Sequence, residues 1–101
     1  MNHRFSDEGL VDYRTVAAQY ETTAKLGSAF AAEVIRYVSI IEVNPQGFSR
    51  APRCPRGRDI RVVKIGRFDY LLYHEVLATE VVTIANQHAR RKSSACRKRT
   101  P

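Results

Sequence analysis

Apolar side chains in the first quarter of the chain recur at spacings of three and four residues. The stripe consists of Leu10, Tyr13, Val16, Ala17 and Tyr20. This period predicts an amphipathic helix that runs to about Tyr20 or Glu21. Just before it, Ser6 can cap free backbone N–H groups, and the acidic pair Asp7 and Glu8 suits the positive end of a helix dipole.

The same period returns after a short break at residues 22–27. Its apolar positions are Phe30, Val34, Tyr37, Val38 and Ile41. Asn44-Pro45 ends this second helix, because the residue before a proline avoids the helical conformation and proline cannot continue the hydrogen-bond ladder. Two helices joined by a short link predict an antiparallel hairpin with one shared apolar face.

The second half of the chain changes to patterns that are typical of β-strands. Ile60–Ile65, Tyr70–Val76 and Val81–Asn86 are rich in β-branched and aromatic residues and are separated by links short enough for hairpins. A short segment at His3–Phe5 is a candidate edge strand. The predicted fold is therefore α+β: an N-terminal antiparallel helical hairpin packed on a three- to four-stranded antiparallel sheet. Residues 1–92 form one domain, followed by a basic, disordered tail at residues 93–101.

Length and composition narrow the class of protein. A chain of 101 residues with 44% apolar and 27% charged residues has room for one domain with one core. Its start lacks a signal-peptide pattern, and its apolar runs are too short to span a bilayer, which predicts a cytoplasmic protein without membrane contact. The two cysteines, Cys54 and Cys96, are expected to be reduced thiols; no metal site and no cofactor are predicted.

Basic charge is concentrated in two segments. Residues 50–67 contain seven basic residues and one acidic residue, and residues 88–101 contain six basic residues and no acidic residue. The two segments together hold 13 of the 17 basic residues of the chain, whose net charge is +7. Dense charge of one sign indicates a nucleic-acid or acidic protein partner. The alternative is a solvated surface that keeps the protein soluble.

Six blocks of sequence, taken in order, resemble the RelE/ParE family of bacterial type II toxins. These blocks are Phe5-Ser6-Asp7-Glu8, Ala18-Gln19-Tyr20, Phe30-Ala31-Ala32-Glu33, Val43-Asn44-Pro45, Arg67–Tyr73 and His88-Ala89-Arg90-Arg91. The last two are the most specific, because the family tends to have an arginine-containing turn before an aromatic strand and a closing His-x-Arg-Arg. The resemblance spans about residues 3–93. Asp69 departs from it, since the family often has proline there.

The resemblance implies a toxin that is blocked by a cognate antitoxin in a hetero-oligomer, with operator DNA bound only through the antitoxin. Members of the family differ in target. ParE-like members inhibit DNA gyrase, whereas RelE-like members cleave messenger RNA on the ribosome. Arg61, Lys64, Arg67, Arg90 and Arg91 are the residues expected to bind the target or its nucleic acid.

Two departures from the nucleases favour the ParE side. Leu71 stands where RelE-like nucleases tend to carry arginine, and no tyrosine follows Tyr73. We therefore expect a non-enzymatic inhibitor with gyrase as the first candidate target. The alternatives are a messenger endonuclease that uses His88 and Arg90 in catalysis, and a degenerate relative without toxicity. His88 is either a general acid or base or a structural histidine that closes the sheet.

Overall fold

The computed structural model describes residues 1–91 and 98–101. The elements in chain order are β1 (Asn2–Phe5), α1 (Asp7–Ala24), α2 (Gly27–Val43), β2 (Ile60–Lys64), β3 (Tyr70–Val76) and β4 (Glu80–His88). The four strands form one sheet in the order β1-β4-β3-β2. The predicted α+β architecture is confirmed, and no helix of the described residues is long and apolar enough to cross a membrane.

The helical hairpin follows from local chemistry at its ends. The Ser6 hydroxyl accepts a hydrogen bond from the Gly9 N–H at 3.1 Å, as the capping prediction requires. Lys25 ends α1 in the left-handed conformation, with φ of 54°. Helix α1 thus extends one turn beyond the predicted end at Tyr20 or Glu21, and α2 ends at Val43, directly before Asn44-Pro45.

The sheet is mixed, which corrects the prediction of a purely antiparallel one. Strands β2, β3 and β4 form the predicted antiparallel meander, whereas β1 runs parallel to β4 with Phe5 paired with Thr83. A tight hairpin fixes an antiparallel direction between strands that it joins. No hairpin joins β1 to β4, since two helices and two strands separate them, so tertiary packing sets their direction.

Close packing at the start of α1 explains Gly9. A Cβ atom on Gly9 would overlap the carbonyl oxygen of Thr83 in β4. From the sequence, glycine in this first turn only weakens the helix. In the structure its lack of a side chain lets the helix backbone approach the sheet backbone.

A bulge in β4 changes which residues face the helices. Tyr73 pairs with Ala85 and His74 with Thr83, so Ile84 has no partner in β3. Because a bulge inserts one residue, the alternation of faces shifts beyond it. Asn86 and His88 consequently lie on the helix face, where they are the cross-strand partners of Leu72 and Tyr70.

Both faces of the sheet are buried. The helix face carries the main core, which includes Val16, Phe30, Val34, Leu72 and Val81. The outer face carries a second cluster of six buried residues: Ala51, Ile60, Tyr73, Val82, Ile84 and Ala85. The loop between α2 and β2 contributes Ala51 to this second cluster, so the loop is part of the folded domain.

One sequence prediction about this loop differs from the structure. Cys54 is disulfide-bonded, which corrects the prediction of a reduced thiol; that prediction rested on the redox conditions of the cytoplasm and not on position. Arg99, which lies within the predicted tail, has a side chain that is 16% exposed and forms ion pairs with α1. The disorder of residues 93–101 stays a prediction. Residues 92–97, which include Cys96, lie outside the described residues.

Candidate functional site

One end of the sheet collects most of the basic residues singled out by the sequence. The last pairs of the antiparallel strands are Lys64 with Leu71 and Tyr70 with His88. The turn that joins β2 to β3 lies beside the turn after β4, because the Ala89 N–H donates to the Asp69 carbonyl at 2.8 Å. We call this region, residues 64–70 and 88–91, the open end.

Four basic side chains of the open end are exposed: Lys64, Arg67, Arg90 and Arg91. The Lys64 ammonium lies 3.9 Å from the Asp69 carboxylate, and both side chains are more than half exposed. The Arg67 guanidinium lies over the Phe68 ring, 5.3 Å from its centre. Among the described residues, neither Arg90 nor Arg91 has an ion-pair partner. The open end therefore presents positive charge with little neutralisation.

His88 lies at the centre of the open end and is partly buried. Its Nδ1 accepts a hydrogen bond from the Arg90 backbone N–H at 3.1 Å, and its ring meets the edge of Tyr70 with 5.2 Å between ring centres. When Nδ1 accepts, the neutral ring carries its proton on Nε2. The histidine thus orders the turn that presents Arg90 and Arg91, while Nε2 is the atom available for proton transfer.

Aromatic side chains of α1 and β3 form the wall beside His88. The Tyr20 ring lies 5.8 Å from Tyr70 and 4.8 Å from Phe68, centre to centre. Burial raises the pKa of Tyr20, and the charges of Tyr70 and Asp69 add to the effect, against a smaller opposing hydrogen bond with the Asp69 backbone. Tyr20 therefore stays neutral at physiological pH and serves as packing with a polar tip, as its sequence spacing predicted.

Arg61 is separate from this group, although the sequence placed it among the binding residues. Its side chain is 17% exposed, its Nε donates to Asp59 at 2.9 Å, and its Nη1 donates to the carbonyls of Gln46 and Phe48. These bonds attach the loop after α2 to the start of β2. The structure gives Arg61 a tethering role and brings the other four predicted basic residues together.

A polar groove between α1 and β4 was missed at the sequence level. It has a volume of about 230 Å³ and is lined by Asp12, Thr15, Val16, Gln19, Tyr70, Asn86, Gln87, His88 and Arg91. Asn86 is 2% exposed, and its side-chain nitrogen and oxygen have no hydrogen-bond partner among the described residues. The alternation of β4 would turn Asn86 away from α1 without the bulge, so the sequence pattern carried no signal for this groove.

No protein-family model and no curated protein matches the chain. Among solved structures, one described as "Chromosomal ParDE TA system from P. aeruginosa" contains a similar chain, with a TM-score of 0.69. The likeness covers 87% of this chain and 95% of that chain. This chain has a ParE-like fold. The sequence identity is 16%, so the likeness shows the fold of this chain and leaves its activity to the geometry of the site.

Within this ParE-like fold, the six sequence blocks run from β1 and the start of α1 to the turn after β4. The two most specific blocks, residues 67–73 and 88–91, are adjacent at the open end. The exposed residues of the two blocks, such as Arg67 and Arg90, thereby lie at the same end of the sheet.

Proposed function

We propose that this chain is the toxin of a type II toxin–antitoxin pair, that it inhibits an essential target through the open end, and that a cognate antitoxin neutralises it. DNA gyrase is the first candidate target. The observation that carries the proposal is the placement of Lys64, Arg67, Arg90 and Arg91 on one exposed surface of a ParE-like fold.

The physical basis is electrostatic complementarity. An exposed cluster of positive charge accelerates the encounter with an acidic surface and selects partners of opposite charge. Three of the four residues are arginines, whose planar guanidinium groups bind carboxylates and phosphates in two-pronged fashion. An acidic antitoxin that covers this surface would block the target by competition, in a toxin–antitoxin hetero-oligomer.

A messenger endonuclease is the second candidate, and one observation favours it. His88 and Arg90 are adjacent at the open end, and Nε2 of His88 lies on the ring edge that is not tied to the backbone. A histidine can move a proton while arginines stabilise phosphate charge. Against this, the side chain at position 71 is leucine and packs with the cluster on the outer face, away from His88.

One experiment separates these functions. The protein is expressed alone from an inducible promoter, and growth, DNA supercoiling and messenger integrity are scored in the same cultures. The proposal predicts growth arrest with loss of negative supercoiling and with intact messages. Site-specific cleavage of ribosome-bound messages that disappears in His88→Ala would establish the nuclease instead. Unimpaired growth at confirmed soluble expression would contradict both and leave the non-toxic relative.

Matched variants test the surface itself. Arg90→Ala and Arg91→Ala together remove two charges from the open end, and Arg4→Ala and Arg14→Ala together remove two charges from other exposed positions. The proposal expects the first pair to relieve growth arrest and the second pair to leave it unchanged. Equal relief by both pairs would show that net charge matters and that the open end has no special role.

A further inference from the structure

The edge of β4 is only half covered by β1. Strand β1 pairs with Glu80–Thr83, and within residues 1–91 and 98–101 no strand lies on that side of the five residues that follow in β4. Two backbone groups of this edge are satisfied by side chains. The Asn86 N–H donates to Asp12 Oδ2 at 3.0 Å, and the Ile84 carbonyl accepts from Arg99 Nη1 at 2.8 Å.

Arg99 is held there by several charged contacts. Its Nη1 donates to Asp12 Oδ2 at 2.6 Å, its Nη2 donates to Asp12 Oδ1 at 3.3 Å, and its Nε lies 3.3 Å from Glu8 Oε2. The carbonyl of Arg99 in turn accepts from Arg58 Nη2 at 2.8 Å. These contacts are the features of a specific arginine site. The guanidinium is paired in two-pronged fashion with the Asp12 carboxylate, donates to a backbone carbonyl, and has a second carboxylate, that of Glu8, beside its Nε.

Asp12 is also held by a hydrogen bond that does not involve Arg99. Its side chain is 18% exposed, and its bond to the Asn86 N–H fixes the carboxylate against the sheet edge. The groove beside it contains the side-chain amide of Asn86, which is 2% exposed and has no hydrogen-bond partner in the part of the chain that the structure describes. A buried amide without partners costs free energy, so this groove is suited to a polar segment that donates and accepts hydrogen bonds.

We propose that Glu8, Asp12 and the Ile84 carbonyl form a binding site for an arginine side chain, which Arg99 fills within the free chain and which an arginine of a second polypeptide fills once Arg99 leaves. The second polypeptide carries its arginine on an extended polar segment that lies along the groove beside β4. The C-terminal residues are thus an internal occupant that a partner must displace. This inference does not depend on the proposed toxicity, because the arginine site itself, formed by Glu8, Asp12 and the Ile84 carbonyl, lies outside the open end.

The test measures binding of a peptide in trans. The probe is a fluorescent ten-residue peptide with the sequence of residues 92–101 in which serine replaces cysteine, and the proteins are full-length chains studied by fluorescence anisotropy. Arg99→Ala, whose site is empty, is expected to bind the probe about tenfold or more tightly than the wild-type chain. Equal affinities would overturn the proposal.

Matched charge changes identify the site. In the Arg99→Ala background, Asp12→Asn keeps an oxygen for the Asn86 N–H but removes the charge, and is expected to weaken binding about tenfold. Asp69→Asn makes the same charge change at the open end and is expected to leave binding unchanged. Equal losses in the two variants would show general electrostatic attraction and would overturn the proposal.

A change in the probe peptide tests the arginine site without altering Asp12, so the test remains possible if Asp12→Asn fails to fold. Lysine in place of the probe's residue 99 keeps the charge but lacks the planar fork, and is expected to weaken binding to Arg99→Ala severalfold. Lysine in place of arginine at residue 97 serves as the control and is expected to have little effect. If both probes bind as well as the original, the site does not recognise arginine.

Discussion

The two ends of the sheet use the same residue types in opposite ways. At the open end, Lys64, Arg67, Arg90 and Arg91 are exposed, and the only ion pair they form with the described residues is the one between Lys64 and Asp69. At the other end, which we call the closed end, Arg58 and Arg61 are mostly buried and are bound to Glu75 and Asp59. Charge that is neutralised within the fold contributes to its stability, whereas charge that is left unpaired is available to a partner.

The histidines show the same division. His88 is partly exposed at the open end, and His74 in β3 has no exposed surface. Burial lowers the pKa of His74 to about 4, against a smaller opposing effect of the Pro45 backbone. Neither ring nitrogen has a partner of full hydrogen-bond geometry among the described residues. A run of basic residues in a sequence therefore indicates a positively charged segment. Whether each of its residues stabilises the fold or is available to a partner depends on how buried it is and on which carboxylates lie beside it.

The largest expected effect is at the Arg58–Glu75 ion pair. The Glu75 side chain is 6% exposed and bound by Arg58 at 3.0 and 2.5 Å. Arg58→Ala leaves this carboxylate buried without its cation, so the free energy of unfolding should fall by about 3 kcal/mol. The midpoint of urea denaturation at pH 7 measures the change.

The control for this variant is the double substitution Arg58→Ala with Glu75→Gln. Because glutamine leaves no unpaired charge in the buried site, the double variant should recover part of the lost stability. A loss in Arg58→Ala that is no larger than the loss in Arg90→Ala at the open end would remove the distinction between the two ends.

His74 should make the fold sensitive to acid. Its pKa in the folded state, about 4, lies below the ordinary value of 6.5, so the unfolded chain binds the proton first as pH falls. Above pH 6.5, His74 is neutral in both states and does not lower the free energy of unfolding. As the pH falls from 6.5 to about 4, the free energy of unfolding decreases progressively, by roughly 3 kcal/mol in total. Urea denaturation across this range measures the slope.

His74→Leu isolates the contribution of this residue. His3 on β1, whose pKa burial also lowers, is present in both proteins, so the difference between the two curves reports His74 together with its charge interaction with His3. We expect the curve of the variant to be flatter between pH 4 and 6.5. Parallel curves would mean that protonated His74 is accommodated and that the closed end tolerates charge.

The smallest effect on stability is expected at the open end. Arg67→Ala and Arg90→Ala each remove an exposed side chain that has no carboxylate within ion-pair distance among the described residues, so the free energy of unfolding should change by no more than about 0.5 kcal/mol. The same denaturation assay measures this change. A loss above that of a typical surface substitution in either variant would indicate that the residue serves the fold rather than a partner.

Much of the fold could be predicted because its signals are local. The helical stripes, the Ser6 cap, the stop at Asn44-Pro45 and the three strands of the meander each depend on residues within a few positions of one another. The resemblance added the fold type and drew attention to residues 67–73 and 88–91. Four of the five predicted binding residues are exposed at one end of the sheet.

The features that sequence reasoning missed depend on contacts between distant segments. The parallel pairing of β1 with β4, the packing of Gly9 on Thr83, and the contact of Arg99 with Asp12 join residues more than 70 positions apart. Arg61 was assigned to a binding surface because its charge is visible in the sequence, whereas the loop carbonyls and the buried position that hold it are not.

The sequence by itself determined where helices and strands form, how the chain divides its charge, and which family it resembles, because period, capping and composition are properties of neighbouring residues. Tertiary structure decided the direction of β1, the face on which Asn86 and His88 lie, and which basic residues remain unpaired. Those outcomes depend on strand register and on carboxylates supplied from distant parts of the chain. A single inserted residue in β4 reverses the faces beyond it, and no local pattern records that choice.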